Sequence, residues 1–181
     1  MRKDRDTMQT FIRHGTEDCR VCVVGDVMLD KYFYGEVTRI SPEAPVPVTR
    51  VVKTKETLGG AANVAHNLAL LGCRTTVVGY IGGDYHGESL LARFKKRGIG
   101  VGGLVKTAAP TTTKLRVIGG HQQMMRLDFE EMSPAAAREE ARLIHKAEKS
   151  LAAGAKAVIL SDYGKGTCTA AVCAAVITAA H

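Results

Sequence analysis

Asp30 stands just beyond Val21-Cys22-Val23-Val24-Gly25, a short β-branched run that reads as a buried strand closed by glycine. A carboxylate there can accept two hydroxyl hydrogen bonds, one way of holding a polyol; a turn-forming or helix-capping aspartate is the plainer alternative. Asp26, directly at the Gly25 turn, reads as the structural member of the pair. Further on, Gly59-Gly60-Ala61-Ala62-Asn63 sets paired glycines at the start of a helix. Without side chains in the way, a ligand can approach backbone N–H groups at the positive end of the helix dipole. Asn63 both donates and accepts, which suits sugar hydroxyls. The alternative for the glycines is close packing alone, and no Gly-Lys-Ser/Thr follows to make a Walker loop. The third stretch is Ser161-Asp162-Tyr163-Gly164-Lys165-Gly166, again after a strand-like run. Lys165 is a point charge fit for a phosphate, or else a solvated surface lysine.

These residues need elements to hold them. Asp26 to Asp30 reads as a turn presenting two carboxylates at a strand's carboxyl end, where ligands bind in open α/β sheets. Residues 31–56 break the rhythm: Pro42, Pro45 and Pro47 forbid a helix, and the valines around them suggest an extended segment of edge character, a flap or accessory sheet. A helix is expected to open at Leu58 and run to Leu71, with Gly72 as its stop. A strand over Thr75 to Tyr80 and a helix over Gly87 to Arg97 follow, the latter stopped by Gly98. Thr112 to Ile118 and Met124 to Phe129 face each other across Gly119-Gly120 as a hairpin. Pro134 to Leu151 reads as an amphipathic helix with Ser133 as cap and proline in first position. Ala157 to Leu160 is another strand, and Thr167 to His181 a helix.

The chain as a whole narrows the class. Its 181 residues, 45% hydrophobic and 24% charged, suit one globular domain with a substantial core. No apolar stretch is long enough to span a bilayer, and residues 1–19 read as a polar extension without a signal core, so a cytoplasmic protein is expected. The net charge of +7 is scattered along the chain with no nucleic-acid-reading motif beside it, which argues against a nucleic-acid partner. Cys19 and Cys22 form a C-x-x-C, but no second ligand pair at zinc spacing is evident. Cys22 sits inside an apolar strand, so buried free thiols are expected, and no metal site.

Taken in order, several motifs make a more specific pattern. They are Val24-Gly25-Asp26-Val27-Met28-Leu29-Asp30-Lys31-Tyr32, Arg39-Ile40-Ser41-Pro42-Glu43-Ala44-Pro45-Val46-Pro47-Val48, Gly59-Gly60-Ala61-Ala62-Asn63-Val64-Ala65, Thr113-Lys114-Leu115-Arg116-Val117, Arg126-Leu127-Asp128-Phe129-Glu130-Glu131 and Leu160 to Gly166. Over about residues 20–170 this resembles the ribokinase-type (PfkB) carbohydrate kinases, and most closely the bacterial heptose-7-phosphate kinases. The Gly-Gly-x-x-Asn element belongs to the wider family, whereas Ser-Pro-Glu-Ala-Pro-Val-Pro points to the heptose enzymes.

The resemblance implies a doubly wound, Rossmann-like parallel sheet in the ribokinase manner, with a small β lid built from residues 32–53 and 112–129. It implies that Asp30, Gly59, Gly60 and Asn63 hold sugar hydroxyls, with Asp162 in the same site. Lys114, Arg126 and Lys165 are candidates for the sugar's own phosphate. The implied reaction moves the ATP γ-phosphate, with Mg2+, to the anomeric hydroxyl of heptose 7-phosphate, on the route to the lipopolysaccharide core. Lids of this family often pair two subunits, so a homodimer is expected. The family's Gly-Ala-Gly-Asp anion hole with its catalytic base, its magnesium motif and its adenine pocket lie in a carboxyl-terminal half without counterpart here. The expectations are therefore an amino-terminal part whose sheet has an exposed edge, no catalytic residue in this chain, and no useful kinase activity from the 181 residues alone. A non-catalytic sugar-phosphate-binding or dimerising module, and a related phosphosugar kinase, stand as alternatives.

Overall fold

A computed structural model describes residues 15, 16, 18–131 and 135–181. The strands are β1 (Arg20–Gly25), β2 (Val27–Ile40), β3 (Pro47–Gly60), β4 (Arg74–Gly82), β5 (Gly100–Thr107), β6 (Thr113–Gly119), β7 (Gln122–Phe129) and β8 (Ala157–Ser161). The helices are α1 (Ala61–Leu70), α2 (Tyr85–Lys96), α3 (Ala137–Ala152) and α4 (Ala170–Ala180). Four strands form a central sheet in the order β5-β4-β1-β8, every neighbouring pair parallel.

β1 shows why helices cover both faces. Val21 and Val23 enter an apolar layer with Ala61 and Ala65 of α1 and Leu90 and Phe94 of α2. Cys22 and Val24 enter the opposite layer with Leu143 and Ala147 of α3 and Val172 and Val176 of α4. A parallel strand buried on both sides must be apolar at every position, and Val21 to Val24 are. The result is the expected doubly wound α/β fold. The same alternation separates the C-x-x-C: Cys19 packs beside the first layer and Cys22 inside the second, so the sheet lies between their thiols. All five cysteines are free, and burial pushes the Cys22 thiol up to about 11.

The remaining strands build a second, mixed sheet in the order β3-β2-β6-β7. β2 and β3 pair antiparallel from Val27↔Gly60 to Ile40↔Pro47, with irregularities at Tyr34/Gly35 and Val37/Arg39. Pro42 and Pro45 fall in the turn between them and Pro47 opens β3, an edge strand, which is where proline's missing donor is tolerated. β6 and β7 pair antiparallel across Gly119 and Gly120, as expected; Gly120 takes the left-handed conformation at φ 61°.

Local expectations are corrected at several points. Asp26 to Asp30 is not a turn: only Asp26 separates β1 from β2, and Val27, Met28 and Leu29 are already buried strand residues. Leu58 to Gly60 does not open the helix but ends β3; α1 starts at Ala61. β5 carried no expectation because its GVGGLVKT is glycine-rich and weakly patterned. A Cβ on Gly103 would stand 2.5 Å from the Val77 carbonyl oxygen, so the glycine lets β5 lie against β4. The second sheet also extends beyond the first expected segment, residues 32–53, at the base of its first hairpin. The proposed cap Ser133 and Pro134 lie outside the described residues; α3 begins at Ala137, with the Ala136 N–H donating to Glu139.

Candidate functional site

Where the second sheet meets the central one, a cleft of about 460 Å³ opens, walled by Asp30, Tyr32, Lys114 and Arg116 on the strands and by Gly59, Gly60, Asn63 and Tyr163 below. The sheet register explains the first four. Thr57 on β3, Asp30 on β2, Lys114 on β6 and Asp128 on β7 lie side by side; the next row is Lys55, Tyr32, Arg116 and Arg126. Side chains aligned across strands share a face, so both rows project the same way.

Asp30 is held rather than loose. Arg116 Nη1 donates to its Oδ1 at 2.6 Å, and the guanidinium lies 5.3 Å from the centre of the Tyr32 ring. That hydrogen bond, the largest influence on Arg116, raises the guanidinium's pKa further. The other carboxylate oxygen lies against the Gly59 backbone: a Cβ there would be 2.4 Å from Asp30 Oδ2. Gly60 is constrained twice, by φ 53° and by the Asp26 carbonyl oxygen 2.4 Å from where its Cβ would stand. The paired glycines thus serve both the close approach of Asp30 and the sharp passage from β3 into α1. Asn63, in the first turn of α1, is exposed on the cleft wall.

The structure therefore gathers Asp30, Gly59, Gly60, Asn63 and Lys114 around one cleft. It does not bring Arg126, Asp162 and Lys165 to the same wall. Arg126 shares the face of Arg116 but stands on the outer strand β7, in a paired contact with Asp128 (Nε to Oδ1 2.9 Å, Nη2 to Oδ2 3.0 Å). Asp162 turns back on its own loop, accepting from the Gly164 N–H at 2.8 Å. Lys165 lines a neighbouring cavity of about 210 Å³ with Tyr80 and Thr112, and its Nζ meets Glu130 Oε1 at 2.8 Å. Tyr32, Arg116 and Tyr163 wall the cleft but had no role assigned from sequence. Arg116 was legible in principle, since it lies two residues from Lys114 in a strand and so on the same face. Tyr163 sits in the loop after β8, where no periodicity says which way a side chain points.

The opposite face of the second sheet is docked onto the core by charge. Glu56 accepts from Arg93 Nη2 at 2.7 Å and from Ser89 Oγ at 2.7 Å, both on α2, and Lys31 lies 3.2 Å away. Burial opposes ionisation of Glu56, but the bonds from Ser89, Arg93 and Lys31 outweigh it and hold its pKa at about 2.

Solved structures share this arrangement. A Thermotoga maritima protein described as a possible 1-phosphofructokinase matches with a TM-score of 0.68 at 18% identity, over 90% of this chain and 50% of its own. A carbohydrate kinase from Agrobacterium tumefaciens matches with a TM-score of 0.52 at 16% identity, over 78% of this chain and 53% of its own. The fold is ribokinase-like. Residues 18–181 match the model of the pfkB family of carbohydrate kinases, and the chain belongs to that family. Among curated relatives, a bifunctional protein HldE of Hahella chejuensis is 49% identical over 150 residues, covering 83% of this chain and 31% of that protein. A D-beta-D-heptose 7-phosphate kinase of Bordetella bronchiseptica is 48% identical over 147 residues, covering 81% of this chain and 46% of that one. The chain thus matches less than half of the length of either relative, 31% of one and 46% of the other. No helix among the described residues is long and apolar enough to cross a membrane.

Proposed function

We propose that this chain is the sugar-binding part of a cytoplasmic kinase that phosphorylates the anomeric hydroxyl of D-glycero-D-manno-heptose 7-phosphate, giving heptose 1,7-bisphosphate for the lipopolysaccharide core. The observation that carries the reading is the convergence of Asp30, Asn63 and the bare Gly59-Gly60 backbone with Lys114 and Arg116 in one cleft. Asp30 accepts sugar hydroxyls through the oxygen turned toward Gly59, while Arg116 holds the carboxylate in place. Asn63 donates to one hydroxyl and accepts from another. Lys114, with Arg126 further out on the second sheet, attracts the sugar's own phosphate; Asp162 and Lys165 stand in the loop that borders the cleft. The second sheet acts as the lid that excludes water.

ATP with Mg2+ supplies the transferred phosphoryl group in this family. Among the described residues no three His, Cys, Asp or Glu side chains are grouped to hold a metal ion. Neither co-reactant is assigned to residues of this chain. The lid also presents exposed Ile40 and Val52 toward its far end, which supports a homodimer through that surface; sedimentation of the chain as a monomer at micromolar concentration would remove that part of the reading.

Calorimetric titration with heptose 7-phosphate, with and without an ATP analogue, tests the whole. Sugar-phosphate binding without nucleotide binding or phosphoryl transfer is the expected result. Absence of binding to the phosphosugar sinks the reading, and normal turnover by the purified 181 residues sinks the division of labour. The coverage of the curated relatives favours one second reading, a phosphosugar-binding or dimerising module without catalysis, which the same titration with a sensitive turnover assay on the complete gene product separates.

A further inference from the structure

Asp26 lies beneath the cleft rather than in it, 1% exposed. Its carboxylate accepts three backbone N–H groups from the loop after β8: Tyr163 at 2.7 Å and Lys165 at 3.0 Å on Oδ2, and Thr167 at 3.0 Å on Oδ1. Its own backbone completes the junction. The Asp26 N–H donates to the Ser161 carbonyl at 3.0 Å, and its carbonyl accepts from the Ala61 N–H at 2.9 Å. One residue thus joins the end of β8, the loop beyond it and the first residue of α1.

The loop is shaped for this. N–H groups of alternate residues can converge on one point only if the backbone curls, and the residues between them are Gly164 and Gly166, both left-handed at φ 67° and 91°. Such curls make concave anion sites, and here the anion is the protein's own carboxylate. The loop's other consequence is at the surface: Tyr163, whose N–H makes the shortest of the three bonds, is 56% exposed and walls the cleft beside Gly60 and Asn63.

We propose that Asp26 is a positioning residue for the cleft, the internal anion that sets the Tyr163–Thr167 loop and so places Tyr163 in the wall of the cleft that Asp30 also lines. Its consequence for binding rests on the sugar-site reading above; its grip on the loop does not. A residue unable to accept all three bonds leaves buried donors unsatisfied, and the loop opens to satisfy them with water. The glycines and the apolar layers alone do not replace it, because neither supplies an acceptor.

Two measurements on the full chain test this. Asp26→Asn replaces one accepting oxygen with an amide that can only donate. Without ligand, the amides of Tyr163, Lys165 and Thr167 are expected to exchange with deuterium about tenfold faster or more, while those of Val77 and Val78 in β4 keep their rates. With heptose 7-phosphate, Tyr163→Ala is expected to weaken binding about five- to tenfold in the parent chain and by less than about twofold in Asp26→Asn, because the second change removes what the first already displaced. Unchanged exchange in the loop, or losses that simply add, overturns the proposal. A parent chain that binds no phosphosugar refutes the sugar-site reading and Asp26's role in it, while the exchange rates still decide whether Asp26 holds the loop. Should Asp26→Asn fail to fold, Gly166→Ala strains the same loop from outside: its Cβ meets nothing within 4 Å, so only the backbone angle is perturbed. Loosened loop amides and weakened phosphosugar binding are expected there too, and native values of both overturn the proposal.

Discussion

Replacing Glu56 by Gln should loosen the attachment of the second sheet to α2, and the pH dependence of the effect distinguishes its cause. The side chain of Glu56 is 12% exposed, and it serves Lys31, Arg93 and Ser89 at once. Its pKa falls from 4.5 to about 2: burial works against the charge, and the three hydrogen-bonding partners more than offset it. A depressed carboxylate stabilises the fold fully above its unfolded pKa and loses that contribution as pH falls through the folded one. At about 1.4 kcal/mol per unit, the shift corresponds to on the order of 3 kcal/mol at neutral pH. Gln keeps an acceptor for Ser89 but leaves Lys31 and Arg93 without a counter-charge. With a urea slope of about 2 kcal/mol per molar, the unfolding midpoint at pH 7 should drop by about 1–1.5 M. Urea titrations followed by circular dichroism at pH 7, 4 and 2 read this directly. The gap between the two proteins should be full at pH 7, shrink between 4.5 and 2, and be largely gone at the acid end. An absent gap at pH 7, or one that persists unchanged at pH 2, refutes the electrostatic account.

Gly59→Ala places a methyl 2.4 Å from Asp30 Oδ2, so phosphosugar affinity should fall at least about tenfold while the far-ultraviolet spectrum stays native; calorimetry with the phosphosugar checks it. Phe94→Ala empties a fully buried position between α2 and the central sheet, and should cost about 3–5 kcal/mol in urea unfolding. The Cys22 thiol, buried and pushed up to about 11, should resist a thiol reagent at pH 8 until the protein is unfolded, as timed labelling with mass detection of the peptide would show.

The central layers were the most legible part of the sequence, because buried parallel strands such as Val21 to Val24 must be apolar throughout. β5 was not: three glycines replaced the pattern, and what Gly103 records is backbone approach to β4 rather than side-chain burial. The break at Gly25-Asp26 was visible, but a single residue of non-strand geometry looks from sequence like the start of a longer turn. Of the candidate residues, Asn63 and Lys114 lie on elements the pattern gave, and Asp30, Gly59 and Gly60 meet them although they stand on β2 and β3, where the pattern read a turn and a helix start. Lys165, Asp162 and Arg126 do not reach the same wall, since two lie on a glycine-shaped loop and one on an outer strand, where sequence order says little about aim. Arg116 needed only the period of two applied once more from Lys114.

The ribbon formed by β2 and β3 has its irregularities confined to one end. From Val27↔Gly60 to Tyr34↔Lys53 the register runs unbroken; the shifts at Tyr34/Gly35 and Val37/Arg39 come only beyond it. Asp30 and Gly59 belong to the regular stretch, whose first residues are anchored in the core. The bulges act as strain relief: twist, length changes or docking forces at the Pro42–Pro45 tip are absorbed before they reach the carboxylate. Such a layout separates two kinds of freedom. The tip can be rebuilt to suit whatever it meets, and the geometry that holds Asp30 against Gly59 carries through the rebuilding unchanged.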